Sequence, residues 1–161
     1  MKKYELTGET INVFGKTLHR IRATRDFSNV HAGDLGGFIE DERNLSHDEN
    51  AWVGGNARVS GNAWVGGNAL VGGNAWVGGN ALVKGPRDIY WISCIGSRNG
   101  TTTFFRNADN GISVACGCFY GTIDEFAAAV TKTHGDNEHA QAYRHAIEIA
   151  KLRIELEVAK S

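Results

Sequence analysis

Apolar residues return every six positions between Asn50 and Gly85. The blocks read NAWVGG, NARVSG, NAWVGG, NALVGG, NAWVGG and NALVKG. Each opens on Asn-Ala, places Val fourth and closes on Gly. A period this short and this regular predicts a stacked array. One β-branched residue per block reads as a short strand followed by a turn. Val53, Val59, Val65, Val71, Val77 and Val83 suit a buried, pleated position. The glycines permit the positive φ that tight corners need, and Asn tolerates such corners better than other side chains. The residue before each Val is Trp52, Arg58, Trp64, Leu70, Trp76 or Leu82. Strand alternation turns it to the opposite, outward face.

The flanking segments carry different patterns. Residues 3–25 alternate and break at Gly15, which predicts a β-hairpin. Its cluster His19, Arg20, Arg22 and Arg25 is either a solvated face or an anion site. Phe27, Val30, Leu35, Phe38 and Ile39 then lie among Gly33, Gly36 and Gly37, as sharp turns leading into the array. Ile39 and Leu45, six apart, read as an irregular first layer. Leu45 to Val53 is eight residues, so Ser46–Glu49 holds a two-residue corner insertion.

Pro86, the only proline, closes the array and opens a segment of alternating residues. Strands are expected at Ile89–Ile95, Thr101–Arg106 and Ile112–Tyr120, with turns at Gly96–Gly100 and Asn107–Gly111. Thr122-Ile123-Asp124-Glu125 is a capping box that starts a helix at Ile123, and Gly135 stops it near His134. Asn137 caps a last helix, 138 to about 159, with Tyr143, Ile147, Ala150 and Ile154 on one stripe. The fold class is mainly β with an α+β C-terminus. Two regions follow: 1–85, hairpin plus array, and 86–161, a three-strand meander with two helices.

The run Val53-Gly54-Gly55-Asn56-Ala57-Arg58 repeats as aliphatic, small, any, any, small, any. This resembles the hexapeptide-repeat family. The resemblance implies a left-handed parallel β-helix with three blocks per coil, and commonly a homotrimer. Six blocks then make two coils, only about 10 Å tall at strand spacing. So thin a core has to be extended, capped or packed against copies of itself. Trp52 would stack with Leu70, Arg58 with Trp76, and Trp64 with Leu82. The run Asp26-Phe27, Val30, Ala32-Gly33, Leu35-Gly36-Gly37-Phe38-Ile39, followed by the Asn-Ala repeats, looks like small bacteriophage and prophage members of that family. The GSRN, TTTFF and CGCF runs also look like a recurrent piece of phage proteins. That likeness implies a host-interaction or counter-defence role.

The formal net charge of −1 gives no electrostatic case for binding duplex nucleic acid through its backbone. No apolar run reaches membrane-spanning length, and Met-Lys-Lys-Tyr-Glu-Leu lacks a signal-peptide core. Three cysteines do not make a disulfide framework. A cytoplasmic location is expected, the host cytoplasm for a phage-encoded chain.

Candidate chemistry sits in few places. Ser97, Arg98, Asn99, Thr101 and Thr102, with Thr103 beyond, form either an anion cradle or simply a tight, Thr-rich hairpin. Cys94, Cys116, Cys118 and His134 could supply a Cys₃His zinc site if Cys116 and Cys118 share a strand face, although free buried cysteine is the commoner outcome. No metal or other cofactor is assigned. Family acyltransferases use a histidine base on a coil, and His47, just before the blocks, is the one candidate. Trp52, Trp64, Leu70, Trp76 and Leu82 read as an interface or a cover for flanking segments, or else as a stacking platform for sugars or bases. Three functions follow. The first is a non-enzymatic, trimeric binding protein whose partner is a host protein or a small anionic, nucleotide-like ligand. The second is a small acyltransferase with a coenzyme A type donor, and the third a purely structural trimerisation module.

Overall fold

The computed structural model describes residues 2–156. The chain is mainly β and ends in two helices. β1 (Tyr4–Val13) and β2 (Lys16–Ala23) form the hairpin, with a bulge between Leu6 and Thr10. Its turn is Phe14-Gly15, at φ +50° and +80°. Both central residues of such a turn need positive φ. For Phe14 that conformation costs about 1–2 kcal/mol.

β3 (Leu35–Ile39) pairs antiparallel with β2 and carries the sheet into the array. The array supplies β4 (Trp52–Val53), β5 (Arg58–Val59), β6 (Trp64–Val65), β7 (Leu70–Val71), β8 (Trp76–Val77) and β9 (Leu82–Val83). The first three pair in parallel with the strands eighteen residues on: Trp52 with Leu70, Arg58 with Trp76, Trp64 with Leu82. One layer earlier, Ile39 pairs with Val59 and Leu45 with Val65, twenty residues on. The two extra residues are the insertion expected between Leu45 and Val53. All six valines and their alanines are buried. At the corners only the closing glycine of a block takes positive φ. Gly61 sits at +66°, and a Cβ there would lie 3.1 Å from the backbone nitrogen of Gly79. The other glycine site does not need that conformation, so Ser60 occupies it.

Within the array, N–H groups of one layer donate to carbonyls of the next: Arg58 to Ala75, Gly66 to Val83. The last layer has no successor. There the N–H of Trp76 donates to Thr103 Oγ1 at 3.0 Å, and that of Lys84 to Asp88 Oδ2 at 2.9 Å. The C-terminal segment thus caps the array. One apolar core runs through both, from Tyr4 and Ile21 through the valines to Ile89, Phe105 and Ala115.

The C-terminal sheet has four strands in sequence order, all antiparallel. They are β10 (Ile89–Ile95), β11 (Gly100–Arg106), β12 (Ile112–Cys116) and β13 (Phe119–Thr122). The expected single strand Ile112–Tyr120 is therefore two. Gly117 at φ +57° turns the chain back on itself, with Cys116 facing Phe119. α1 (Ile123–His134) begins at the expected capping box, Thr122 with Glu125, and ends at Gly135. α2 (Glu138–Arg153) is capped by Asn137. It stops short of 159. Arg87 Nε donates to the carbonyl of Arg153 at 2.8 Å, and the carbonyl of Arg87 accepts the N–H of Glu155, which draws the chain out of helix. The expected last positions, 157–159, lie outside the described residues. Both helices pack on the sheet through Phe104, Val114, Phe126, Tyr143 and Ile147.

Candidate functional site

A cleft of about 1310 Å³ opens where three elements meet. The hairpin tip contributes Asn12, Val13 and Phe14, and the array contributes Asn56, Arg58, Asn74 and Trp76. The C-terminal sheet and helices contribute Ser93–Ile95, Ser97–Thr101, Ala115–Cys118, Thr133, His134 and Tyr143. Not one Asp or Glu is among the described residues that line it.

Arg58 is placed by its pairing with Trp76, and its side chain is exposed. Asn56 and Asn74 open their blocks eighteen residues apart and line the same wall. Arg98 stands opposite on the turn between β10 and β11, where Asn99 takes φ +51°. Among the described residues neither guanidinium has a hydrogen-bond or ion-pair partner. Other arginines do: Arg20 meets Glu9 at 3.0 Å, Arg22 meets Glu5 at 2.6 Å, and Arg144 meets Asp136 at 2.9 Å.

The predicted turn residues divide. Ser97, Arg98, Asn99 and Thr101 line the cleft, and Thr101 shares a hydrogen bond with Ser93 Oγ at 2.9 Å. Thr102 does not. It is fully buried and donates to Cys116 Sγ at 3.2 Å. Thr103 is spent on capping Trp76.

The cysteines are all free thiols. Cys94, Cys116, Cys118 and His134 line one cleft, yet no group of three His, Cys, Asp or Glu able to hold a metal exists among the described residues. The shared strand face on which a zinc site depended is absent. Cys118 sits exposed in the turn, while Cys116 is half-buried on β12. Cys116 Sγ lies 3.8 Å from Tyr143 Oη. Burial first, and then that thiol, pushes the Tyr143 phenol up to about 12.

The outward row is covered unevenly. Trp52, expected to be exposed, is buried edge-on against Phe27 at 5.3 Å. Trp76 is half-buried beneath Phe14, with ring centroids 5.4 Å apart and planes 28° apart. Leu82 is also half-buried, whereas Trp64 and Leu70 remain 37% and 56% exposed.

His47 belongs to a different cluster. Its Nδ1 accepts from the N–H of Lys3 at 3.1 Å, and its Nε2 meets Glu42 Oε1 at 2.9 Å. Its ring stacks on Tyr4 at 4.0 Å. With both nitrogens engaged inside the chain, His47 has no lone pair turned toward a substrate. The hydrogen bond from His47 holds the Glu42 carboxyl below its usual range. Burial, then Arg25, pushes the Lys3 ammonium down to about 8, and burial pushes the Tyr4 phenol up.

Sequence reasoning missed Arg58, Asn56, Asn74 and Phe14 as cleft residues. One signal was present. Arg58 is the single charge at a position otherwise filled by Trp and Leu. The geometry offers an anion two cationic forks, several amide and hydroxyl groups, and an aromatic wall. No protein-family model and no curated protein matches the chain.

Proposed function

We propose that this is a non-enzymatic binding protein that holds a small anionic ligand in the cleft between hairpin tip, array and C-terminal sheet. One observation carries the reading. Two arginines with no partner among the described residues, Arg58 and Arg98, line a cleft in which no described residue is an Asp or Glu, in a chain with as many as 18 acidic residues. Like-signed charge lining one cleft, with no acid to offset it there, raises the local concentration of anions. A guanidinium bound to phosphate or carboxylate forms charge-assisted bonds roughly twice as strong as neutral ones.

The experiment is calorimetric titration with inorganic phosphate and pyrophosphate at low salt. Replacing Arg58 or Arg98 by Gln should weaken binding about tenfold each, as expected for the loss of one charge-assisted contact. Unchanged affinity in both variants overturns the reading.

The assembly part of the proposal rests on the bare row. We read the array as a short left-handed β-helix of the hexapeptide-repeat type, trimerised through the row that carries Trp64 and Leu82, with Leu70 beside it. Trp64 and Leu70 are exposed apolar residues at the outward positions of β6 and β7, which follow one another in the chain but lie in different sheets; exposed large apolar side chains of this kind mark interfaces. The phage-like runs support a role against a host. Native mass spectrometry tests the assembly: a trimer that Trp64→Lys splits supports it, and a wild-type monomer removes it.

A further inference from the structure

We infer that the ligand carries a planar heteroaromatic ring, taken up by a second pocket that opens from the cleft beside Phe14 and Trp76. This rests on the anion reading above and names the ligand class as a nucleotide. The pocket measures about 220 Å³ and is lined by Phe14, Lys16, Ser60, Trp76, Gly78 and Tyr120, among others. That is below the range of a whole drug-sized ligand, and so suits one part of a molecule. Val13, Phe14 and Trp76 line both spaces, so the pocket adjoins the cleft across these residues. Arg58, the strand neighbour of Trp76, stands at that junction.

Three aromatic rings wall the pocket. Phe14 is 69% exposed and Tyr120 is 43% exposed, although each is large and apolar enough to be buried. Polar groups sit at the ring edges. Trp76 Nε1 donates to Ser60 Oγ at 3.4 Å and Tyr120 Oη to the Gly78 carbonyl at 3.5 Å, which leaves the Ser60 hydroxyl hydrogen and its second lone pair for a ligand. Lys16 reaches Glu40 at 3.7 Å. Aromatic faces with edge donors and acceptors are how proteins hold unpaired bases. Phe14 is the decisive residue. It occupies a turn position at φ +50° that Asn or Gly fills at lower cost. Turn formation does not call for a phenylalanine there; one face of its ring covers Trp76, and the rest, 69% exposed, is left for a base.

The test uses three probes on the full chain: inorganic phosphate, ribose 5-phosphate and adenosine 5′-monophosphate. The monophosphate nucleotide should bind at least about tenfold tighter than ribose 5-phosphate, from base stacking. Phe14→Asn, which suits the turn better, should erase most of that difference, read as the ratio of nucleotide to ribose 5-phosphate affinity on the same variant. Equal binding of nucleotide and ribose 5-phosphate, or an unaffected nucleotide affinity in Phe14→Asn, overturns the ring pocket while the anion reading stands. Binding of none of the three probes overturns both.

Discussion

The backbone N–H of Trp76 donates to the side-chain oxygen of Thr103, 27 residues away, at 3.0 Å. In the layer before, the matching N–H of Arg58 donates to a backbone carbonyl, that of Ala75. A hydroxyl thus stands in for a missing strand. Thr103→Val keeps the shape and removes the acceptor, so it should cost about 1–3 kcal/mol. Thr103→Ser should recover most of it. Urea unfolding of the two variants checks this; equal stability of Val and Thr would show that the bond contributes nothing.

Gly36 and Gly37 bring β3 into backbone contact with the array. A Cβ on Gly36 would lie 2.5 Å from the carbonyl oxygen of Val53, and one on Gly37 would press on the carbonyl of Ala57. Neither obstacle is a flexible side chain end. Gly37→Ala should destabilise by about 1–3 kcal/mol or more, as overpacking does. Gly8→Ala, with open space around it, is the control. The thermal midpoints of both report the difference.

Lys3 is fully buried, its ammonium over the Phe27 ring at 4.9 Å and near the Asp48 and Ala51 carbonyls. Its folded pKa is about 8, against 10.5 in the open chain. Between these values the unfolded chain holds a proton that the folded chain has released. Stability should therefore rise with pH across that window, by roughly 3 kcal/mol at most. Lys3→Met should flatten the rise. Denaturant midpoints from pH 7 to 10 measure it.

Glu42 has the opposite sign. Its carboxyl is held low, chiefly by His47. The stability it contributes is present above about 4.5 and is lost as pH falls through the lowered folded value. Glu42→Gln should lower stability above pH 5 and remove that part of the acid limb, so that the two curves converge at low pH. Acid titration followed by circular dichroism distinguishes the two curves.

Counting alone made the array legible. The eighteen-residue pairing of Trp52 with Leu70 needs in addition the three blocks per coil that the hexapeptide-repeat resemblance implies, and the twenty-residue pairing of Ile39 with Val59 follows from one insertion. The Thr122–Glu125 cap was legible because it is local. What the sequence hid depends on distant cover. Trp52 and Trp64 occupy the same block position, yet Phe27 buries one and no described residue buries the other to the same degree. Local alternation cannot carry that difference. The cleft was hidden likewise. Arg98 was a candidate from its turn, but Arg58 and Phe14 acquire meaning only where hairpin, array and sheet converge. The Cys116–Cys118 pair failed for a smaller reason. Gly117 falls inside the expected strand Ile112–Tyr120, but its positive φ makes it a turn.

A ladder built on a repeat has no built-in last rung. Every layer presents the same donors, and a second molecule could continue where the first stops. Here Thr103 and Asp88 occupy two of those donors, and Trp91 lies against Gly72 and Gly73 on the same end. The consequence is control of length. End-on growth into fibres is blocked at that face, and any association between copies is left to the sides of the array.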